Sequence, residues 1–241
     1  MIVGFDTATD DVAVAATRDS QALEERRIAG KPGERPRHAA ALLPEIESVA
    51  ARVGGWEQVD LIAVGIGPGS FTGLRIGIAT ARAIAQALAK PVSPVGTLAA
   101  LARGIETRIG GRDAGVDRSR AGQPPALAVL DARRGEAFAA LYGTGGEELW
   151  PPLVAAPDEL ASRLQTVDPA PVAAGSGAIR FRDELEAAGA EVLPDSDTVH
   201  RISARQVCLL AEGGSPGRPE AIEPIYLRPP DAEVWLERDT H

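Results

Sequence analysis

Two stretches of the chain carry residue types that could handle phosphate. Asp6-Thr7-Ala8-Thr9-Asp10-Asp11 follows a short apolar run, and Gly67-Pro68-Gly69-Ser70-Phe71-Thr72-Gly73-Leu74-Arg75-Ile76-Gly77 separates an apolar run from an alanine-rich stretch. Backbone N–H groups and hydroxyls in such turns can hold phosphate oxygens, and an aspartate can orient a hydrated magnesium ion. The same residues also make tight turns by bonding their own backbone, with no ligand at all, which is the simpler reading of the first stretch taken alone. Sharper motifs are excluded by inspection. A Walker loop needs Lys-Ser or Lys-Thr after its last glycine, whereas Leu74 and Arg75 follow Gly73. A nucleophile elbow needs glycines two residues either side of the serine, and Ser70 has Pro68 and Thr72 there.

Metal and nucleophile chemistry have little to build on. The histidines are His38, His200 and His241, none spaced to share a helical face with another ligand residue. His38 opens the run His38-Ala39-Ala40-Ala41-Leu42 and reads as a surface or helix-terminal histidine. Gly175-Ser176-Gly177-Ala178 precedes a helical stretch and could receive a phosphate, but two glycines more often mark a turn. No serine–histidine pair has a spacing that points to a peptidase.

With 241 residues, a formal charge of -9 and a single cysteine, Cys208, the chain reads as a cytoplasmic, soluble protein with a core of ordinary size and no internal disulfide. No apolar stretch approaches the ~18 residues of a membrane span. The negative balance argues against holding nucleic acid alone, which takes clustered Lys and Arg. Arg26, Arg27, Lys31, Arg35 and Arg37 do cluster, but Glu24, Glu25 and Glu34 interleave them, so a salt-bridged surface is the simpler reading.

The elements that would carry these residues follow from periodicity. Residues 2 to 6, 11 to 16 and 23 to 28 read as strands, 38 to 53 as a helix, 61 to 65 as a buried strand, 72 to about 88 as a helix, and 91 to 95 as extended chain. That order describes a ribonuclease-H-like half. A helix from about 97 and a Gly-, Arg- and Pro-rich segment from 110 to 125, read as a mobile loop or linker, come next. The pattern then restarts: Leu127 to Asp131 followed by Ala137 to Tyr142 echoes Val3 to Asp6 followed by Val12 to Ala16. A helix over 158 to 164, a strand over 172 to 174 and a helix over 179 to 188 extend the echo. The expected fold is α/β, with two ribonuclease-H-like lobes in an actin-like arrangement. Residues 1 to 100 form the first lobe and 101 to 200 a degenerate second one, a helix near 203 to 212 packs back on the first lobe, and 213 to 241 form a proline-broken tail.

In actin-like proteins the first hairpin, here Asp6, Thr7 and Thr9, holds nucleotide phosphates together with its counterpart in the second lobe. The counterpart here, Asp131-Ala132-Arg133-Arg134-Gly135, lacks the hydroxyls and paired glycines of a phosphate cradle. At about 100° per residue, Arg75, Arg82 and Gln86 form one narrow polar strip on the second helix, while Leu74, Ile76, Ile78, Ile84 and Leu88 spread around most of the rest. One sheet cannot cover so wide an apolar surface. Gly73, Gly77 and Ala81 recur every fourth residue, so another backbone could approach closely there. The reading is a surface completed by a second protein, with Leu42, Ile46, Val49, Phe71, Gly73, Leu74, Gly77, Ile78 and Ala81 as contact residues. Mutual coverage of the two helices is the ordinary alternative.

The chain resembles the TsaB (YeaZ) family in Asp6-Thr7-Ala8-Thr9, in His38 with Leu42-Leu43-Pro44-Glu45-Ile46, and in the long run from Gly67 to Gly77. Leu130-Asp131-Ala132-Arg133 with Gly135-Glu136, and Pro224-Ile225-Tyr226-Leu227-Arg228, extend the likeness. The Gly67 to Gly77 run is highly specific, and the others are weaker alone. The resemblance implies a non-catalytic subunit that binds and activates the transferase TsaD in forming N6-threonylcarbamoyladenosine at position 37 of tRNA. The ATPase TsaE joins them, and tRNA is touched only indirectly. It implies no catalytic residue, no metal and no cofactor of its own; ATP or ADP with magnesium is expected only within the complex. Leu42 stands where the transferase family has the second histidine of a His-x-x-x-His metal motif. Departures are the insertion around 110 to 123 and Arg37 beside His38. Self-pairing through the same helices is plausible for the isolated chain, and an autonomous ATPase or small-molecule kinase is the alternative function.

Overall fold

A computed structural model describes residues 1–31, 34, 36–111 and 123–228. Arg35, most of the segment read as a linker and the last thirteen positions lie outside the described residues.

The first sheet contains β1 (Ile2–Asp6), β2 (Val12–Arg18), β3 (Gln21–Ile28), β4 (Leu61–Gly65) and β5 (Val92–Val95), in the order β3-β2-β1-β4-β5. β1 pairs antiparallel with β2 and parallel with β4, which pairs parallel with β5. The second sheet contains β6 (Ala126–Arg133), β7 (Glu136–Tyr142), β8 (Glu148–Ala155), β9 (Val172–Ala174) and β10 (Glu191–Val192), in the order β10-β9-β6-β7-β8. Read from the other side this is the same topology, with β6 pairing antiparallel with β7 and parallel with β9. The repeated strand order is that of the actin-like fold. Its third and fifth strands in the second lobe, β8 and β10, have no counterpart in the periodicity reading. Pro151 and Pro152 interrupt β8, which is tolerable because it is an edge strand.

Period-2 alternation builds two faces on each sheet. Val3, Phe5, Val12, Val14, Ile62 and Val64 point to one side, against α1 (His38–Arg52) and α2 (Phe71–Leu88). Ile2, Ala13, Ala15, Leu61 and Ala63 point to the other, against α7 (Ala204–Glu212). Most of that second set is alanine because α7 lies close: a Cβ added at Gly4 would meet Cys208 Sγ at 2.6 Å. Burial pushes the Cys208 thiol up to about 12, so it acts as a packing group.

In the second lobe, Ala126, Ala128, Leu130, Phe138 and Ala140 face α3 (Thr97–Ile109), which also contacts α7. Leu127, Val129, Ala139 and Leu141 face α4 (Pro157–Leu164), α5 (Ser176–Arg180) and α6 (Arg182–Ala187). The helix expected over 179 to 188 is thus two short ones that meet at Phe181. No helix among the described residues is long and apolar enough to cross a membrane.

Gly104 lies inside α3, and an added Cβ would meet nothing nearer than Val199 Cγ2 at 3.4 Å. Gly104→Ala is expected to raise stability by about 0.5–1 kcal/mol, since an interior helical glycine costs that much relative to alanine. A urea midpoint that fails to rise would show that α3 is held more tightly than this spacing indicates.

The stretch after Pro216, expected as a proline-broken tail, forms a strap as far as Arg228. Gly217 exchanges two backbone hydrogen bonds with Val92 at 2.8 and 3.2 Å, extending the β5 edge. A short 3-10 turn over Pro219–Ala221 crosses α2, and Ile222 is buried beside it. The Ile225 N–H then donates to the Ile66 carbonyl at 2.7 Å. Arg228 ends the strap on the second lobe, donating to Glu136 at 2.7 Å and to the Ala132 carbonyl at 2.9 Å.

Candidate functional site

The glycine-rich segment between β4 and α2 is a packing device. Ser70 caps α2 by accepting from the Gly73 N–H at 3.3 Å, and its own N–H donates to the Ala8 carbonyl at 2.7 Å. The hairpin between β1 and β2 therefore lies directly on the start of the helix. A Cβ at Gly69 would come within 2.3 Å of the Ala8 carbonyl oxygen, one at Gly73 within 2.0 Å of the Thr7 carbonyl oxygen, and one at Gly77 within 2.5 Å of Thr7 Oγ1. The Thr7 hydroxyl donates to the Gly73 carbonyl at 2.7 Å. The row of small residues does admit another backbone, as its spacing predicts, but that backbone is the hairpin of the same chain.

Asp6 points inward. Its Oδ1 accepts the Ala8 N–H at 2.7 Å and its Oδ2 accepts the Thr97 hydroxyl at 2.8 Å, while a Cβ at Gly65 would collide with Oδ2. Only 2 % of the residue is exposed, and burial raises its pKa above the ordinary value against the opposing pull of these hydrogen bonds. Because the folded pKa is raised, Asp6 supports stability fully below its unfolded pKa. That support is lost as pH rises through the folded value.

Thr97 also accepts the Gly67 N–H at 3.1 Å. Thr97→Val would leave that N–H and Asp6 Oδ2 without partners, at an expected cost of about 3 kcal/mol, whereas Thr97→Ser should cost under about 1 kcal/mol. The deficit should widen as pH rises, since the hydroxyl favours the ionised carboxylate. Urea titrations of both variants across pH measure it.

A cleft of about 1340 Å³ separates the lobes, lined among others by Thr9, Asp10, Asp131, Arg133, Ser176 and Tyr226. The two hairpins face each other across it. Arg133 Nη2 reaches Asp10 Oδ2 at 2.9 Å, and Arg201 lies 3.5 Å from Asp11. Asp131 takes Arg180 Nη1 on both oxygens at 2.9 and 2.8 Å, so its carboxylate is also engaged. Arg133 and Arg134 adopt positive φ of 64° and 54°, which turns the hairpin so that Arg133 crosses the gap. Gly175 and Gly177 repeat the logic of the first lobe: added Cβ atoms would meet the Val129 carbonyl oxygen at 2.0 Å and the Leu130 carbonyl carbon at 2.8 Å. They serve packing of the short α5 on β6. A magnesium-bound nucleotide fits this arrangement poorly. Asp6 is outside the cleft lining, its oxygens are taken, and an ion pair bridges the hairpins.

Of the three hairpin residues singled out in the sequence, only Thr9 lines the cleft; its Oγ1 accepts the Asp11 N–H at 3.3 Å, the self-bonded turn of the ligand-free reading. Thr7 serves the packing of α2, and Asp6 holds the hairpin against the start of α3.

The apolar contact set needs correction. Leu42, Ile46, Val49, Gly73, Leu74, Gly77, Ile78 and Ala81 are all buried within the monomer. The wide apolar arc of α2 is covered by the sheet, by α1 and by the strap, where Arg82 donates to the Ile222 carbonyl. Phe71 alone of that set is partly exposed. What α1 and α2 present to solvent is a face rich in small and apolar residues, with Ala40, Leu43 and Pro44 beside Glu47 on one and Thr72, Ala79 and Ala83 beside Arg75 on the other. His38, read as a surface or helix-terminal residue, is the first residue of α1 but only 2 % exposed, beside Gly73, and its Nε2 has no hydrogen-bond partner among the described residues. His200 is buried too, accepting the Gly175 N–H on Nδ1 at 3.1 Å.

Comparison with known proteins identifies relatives of this chain. Residues 33–181 match the family model described as TsaD, tRNA N6-adenosine threonylcarbamoyltransferase. The tRNA threonylcarbamoyladenosine biosynthesis protein TsaB of Escherichia coli K12 is 28% identical, the alignment covering 94% of this chain and 94% of that one. An uncharacterised protein of Mycobacterium tuberculosis H37Rv is 33% identical over 96% of this chain and 93% of its own. Among solved structures, a Pseudomonas aeruginosa protein described as similar to peptidase YeaZ superposes with a TM-score of 0.72 at 25% identity, covering 94% of this chain and 99% of that one.

Proposed function

This chain belongs to the TsaB (YeaZ) family of tRNA threonylcarbamoyladenosine biosynthesis proteins, and from that premise we propose that it is the non-catalytic subunit that binds and activates the transferase TsaD. The observation that carries this reading is the inward-turned Asp6. The residue that would serve a nucleotide instead ties its own hairpin to the start of α3, through the Ala8 N–H and the Thr97 hydroxyl. The chain keeps the architecture of its enzymatic relatives and spends the old site on rigidity.

What a rigid lobe offers is the outward side of α1 and α2. Small, uncharged residues there let a second pair of helices approach closely, and the transferase shares enough sequence with this chain to supply such a pair. Residues buried behind that side, including Leu42, Ile46, Leu74 and Ile78, set its shape without touching the partner. TsaE and tRNA join through the transferase, ATP is handled by the partners, and the work is done in the cytoplasm. The isolated chain can pair with itself through the same side.

The test is reconstitution with tRNA transcript, transferase, TsaE, ATP and threonylcarbamoyl-adenylate, with and without this chain. Modified adenosine should accumulate only when chain and transferase are both present, and the chain alone should hydrolyse ATP no faster than background. Turnover by the chain alone that disappears in Asp6→Ala would favour the autonomous ATPase instead.

A further inference from the structure

We propose that Arg75 is a preset anchor for a single carboxylate side chain on the partner protein; the inference rests on the functional reading above and adds the chemistry of its contact. Arg75 lies on the exposed strip of α2, one turn from Thr72 and one from Ala79. Its guanidinium carbon sits 3.8 Å from the centre of the Phe71 ring. Phe71 in turn packs against Tyr226 of the strap, with ring centres 5.0 Å apart. Nε of Arg75 donates to the Tyr226 hydroxyl at 3.4 Å.

The side chain is thus held at two points, on a ring face and at Nε, while neither Nη nitrogen hydrogen-bonds a described residue. No carboxylate among the described residues lies within ion-pair distance of it, unlike Arg133, Arg180 and Arg228. Arg82, two turns along the same helix, is already occupied by the carbonyls of Glu220 and Ile222.

An arginine fixed in this way has lost most of its rotamer entropy before binding, and its free edge matches the two oxygens of a carboxylate. Arginine is one of the residue types enriched among those that dominate protein interfaces. Phosphate would match the same edge. However, a nucleic-acid backbone is held by many cations together, and Thr72, Ile76, Ala79 and Ala83 around Arg75 are uncharged on a chain of net charge -9. One cation among these uncharged neighbours on α2 suits one acidic residue of a protein.

Titration calorimetry of the full chain against the transferase, at low and at raised salt, tests this. Arg75→Ala should weaken binding by about 30-fold or more. Arg75→Lys should recover little of that, because an ammonium neither stacks flat nor forks, and wild type should lose more affinity with salt than Arg75→Ala does. Tyr226→Phe keeps the ring and frees Nε, and should fall between. Wild-type binding with Arg75→Ala within about threefold of it overturns the anchor while leaving the interface standing. Failure of wild type itself to bind overturns the functional reading and the anchor with it. A loss seen only in binding of tRNA transcript by the chain alone would assign Arg75 to phosphate and overturn the carboxylate.

Discussion

Gly73→Ala is expected to cost at least about 4 kcal/mol and to leave most of the protein insoluble or unfolded, an effect far larger than one methyl group usually produces. The added carbon would stand 2.0 Å from the carbonyl oxygen of Thr7 and 3.1 Å from the ring of His38. A flexible side chain could swing away, but the nearest atom is backbone, fixed in the middle of a hairpin that belongs to a five-stranded sheet. Relief requires α2 to move off the sheet. Overpacking of a core typically costs ~1–3 kcal/mol, and the movement also breaks the Thr7 hydroxyl bond to Gly73 and the Ser70 bond to Ala8, each worth about 1–3 kcal/mol if left unmet in the interior. The measurement is soluble yield, followed by a urea midpoint for whatever remains folded. Gly104→Ala, the same chemical change inside another helix, should move the midpoint the opposite way. A Gly73→Ala protein with the wild-type midpoint would mean that the helix does not rest on the hairpin as described.

The contrast between these two glycines measures what a sequence conveys. Four-residue spacing at Gly73, Gly77 and Ala81 announces a close approach, and the period-2 runs in β1, β2, β4, β6 and β7 announce buried strands, because both signals are local. Neither says which neighbour arrives. The backbone that fills the glycine row is the chain's own Thr7 and Ala8, and the cover over the apolar arc of α2 comes from Pro219 to Ile222, over a hundred positions downstream. Proline-rich composition there reads as a tail, yet Ile222 is buried and Ile225 is bonded to Ile66. β8 is hidden for a related reason: an edge strand needs only half its pattern, and Pro151-Pro152 removes the rest.

Asp6 illustrates the same limit at the site. In the sequence, a hairpin aspartate is compatible with a nucleotide and with a turn. Its fate is decided by Thr97, whose hydroxyl reaches it across 91 positions of chain. Fold class survives this ambiguity because it depends on the order of elements. Site assignments do not, because they depend on which way individual side chains face.

Ala79→Arg on α2 and Leu43→Asp on α1 are each expected to weaken binding to the transferase by about 100-fold or more, roughly 2.7 kcal/mol, with little change in the urea midpoint. Both positions face solvent, and Leu43 is 45 % exposed on a helix whose other large apolar side chains are covered. Substitutions at such positions usually change stability by no more than about 0.5 kcal/mol. In a closed interface the balance reverses. A guanidinium at position 79 holds apart helices that small residues let meet, and it stands one turn from Arg75, so like charges are brought together in a drying surface. A carboxylate at position 43 must be stripped of water where an apolar side chain would have been buried, which costs several kcal/mol unless a partner charge happens to meet it. Leu149→Arg provides the control: Leu149 is 43 % exposed, but it lies on β8 at the far edge of the second lobe. It should leave binding unchanged. If Ala79→Arg and Leu43→Asp co-elute with the transferase as well as Leu149→Arg does, the outward side of α1 and α2 is not where the partner sits. That face would then need another explanation.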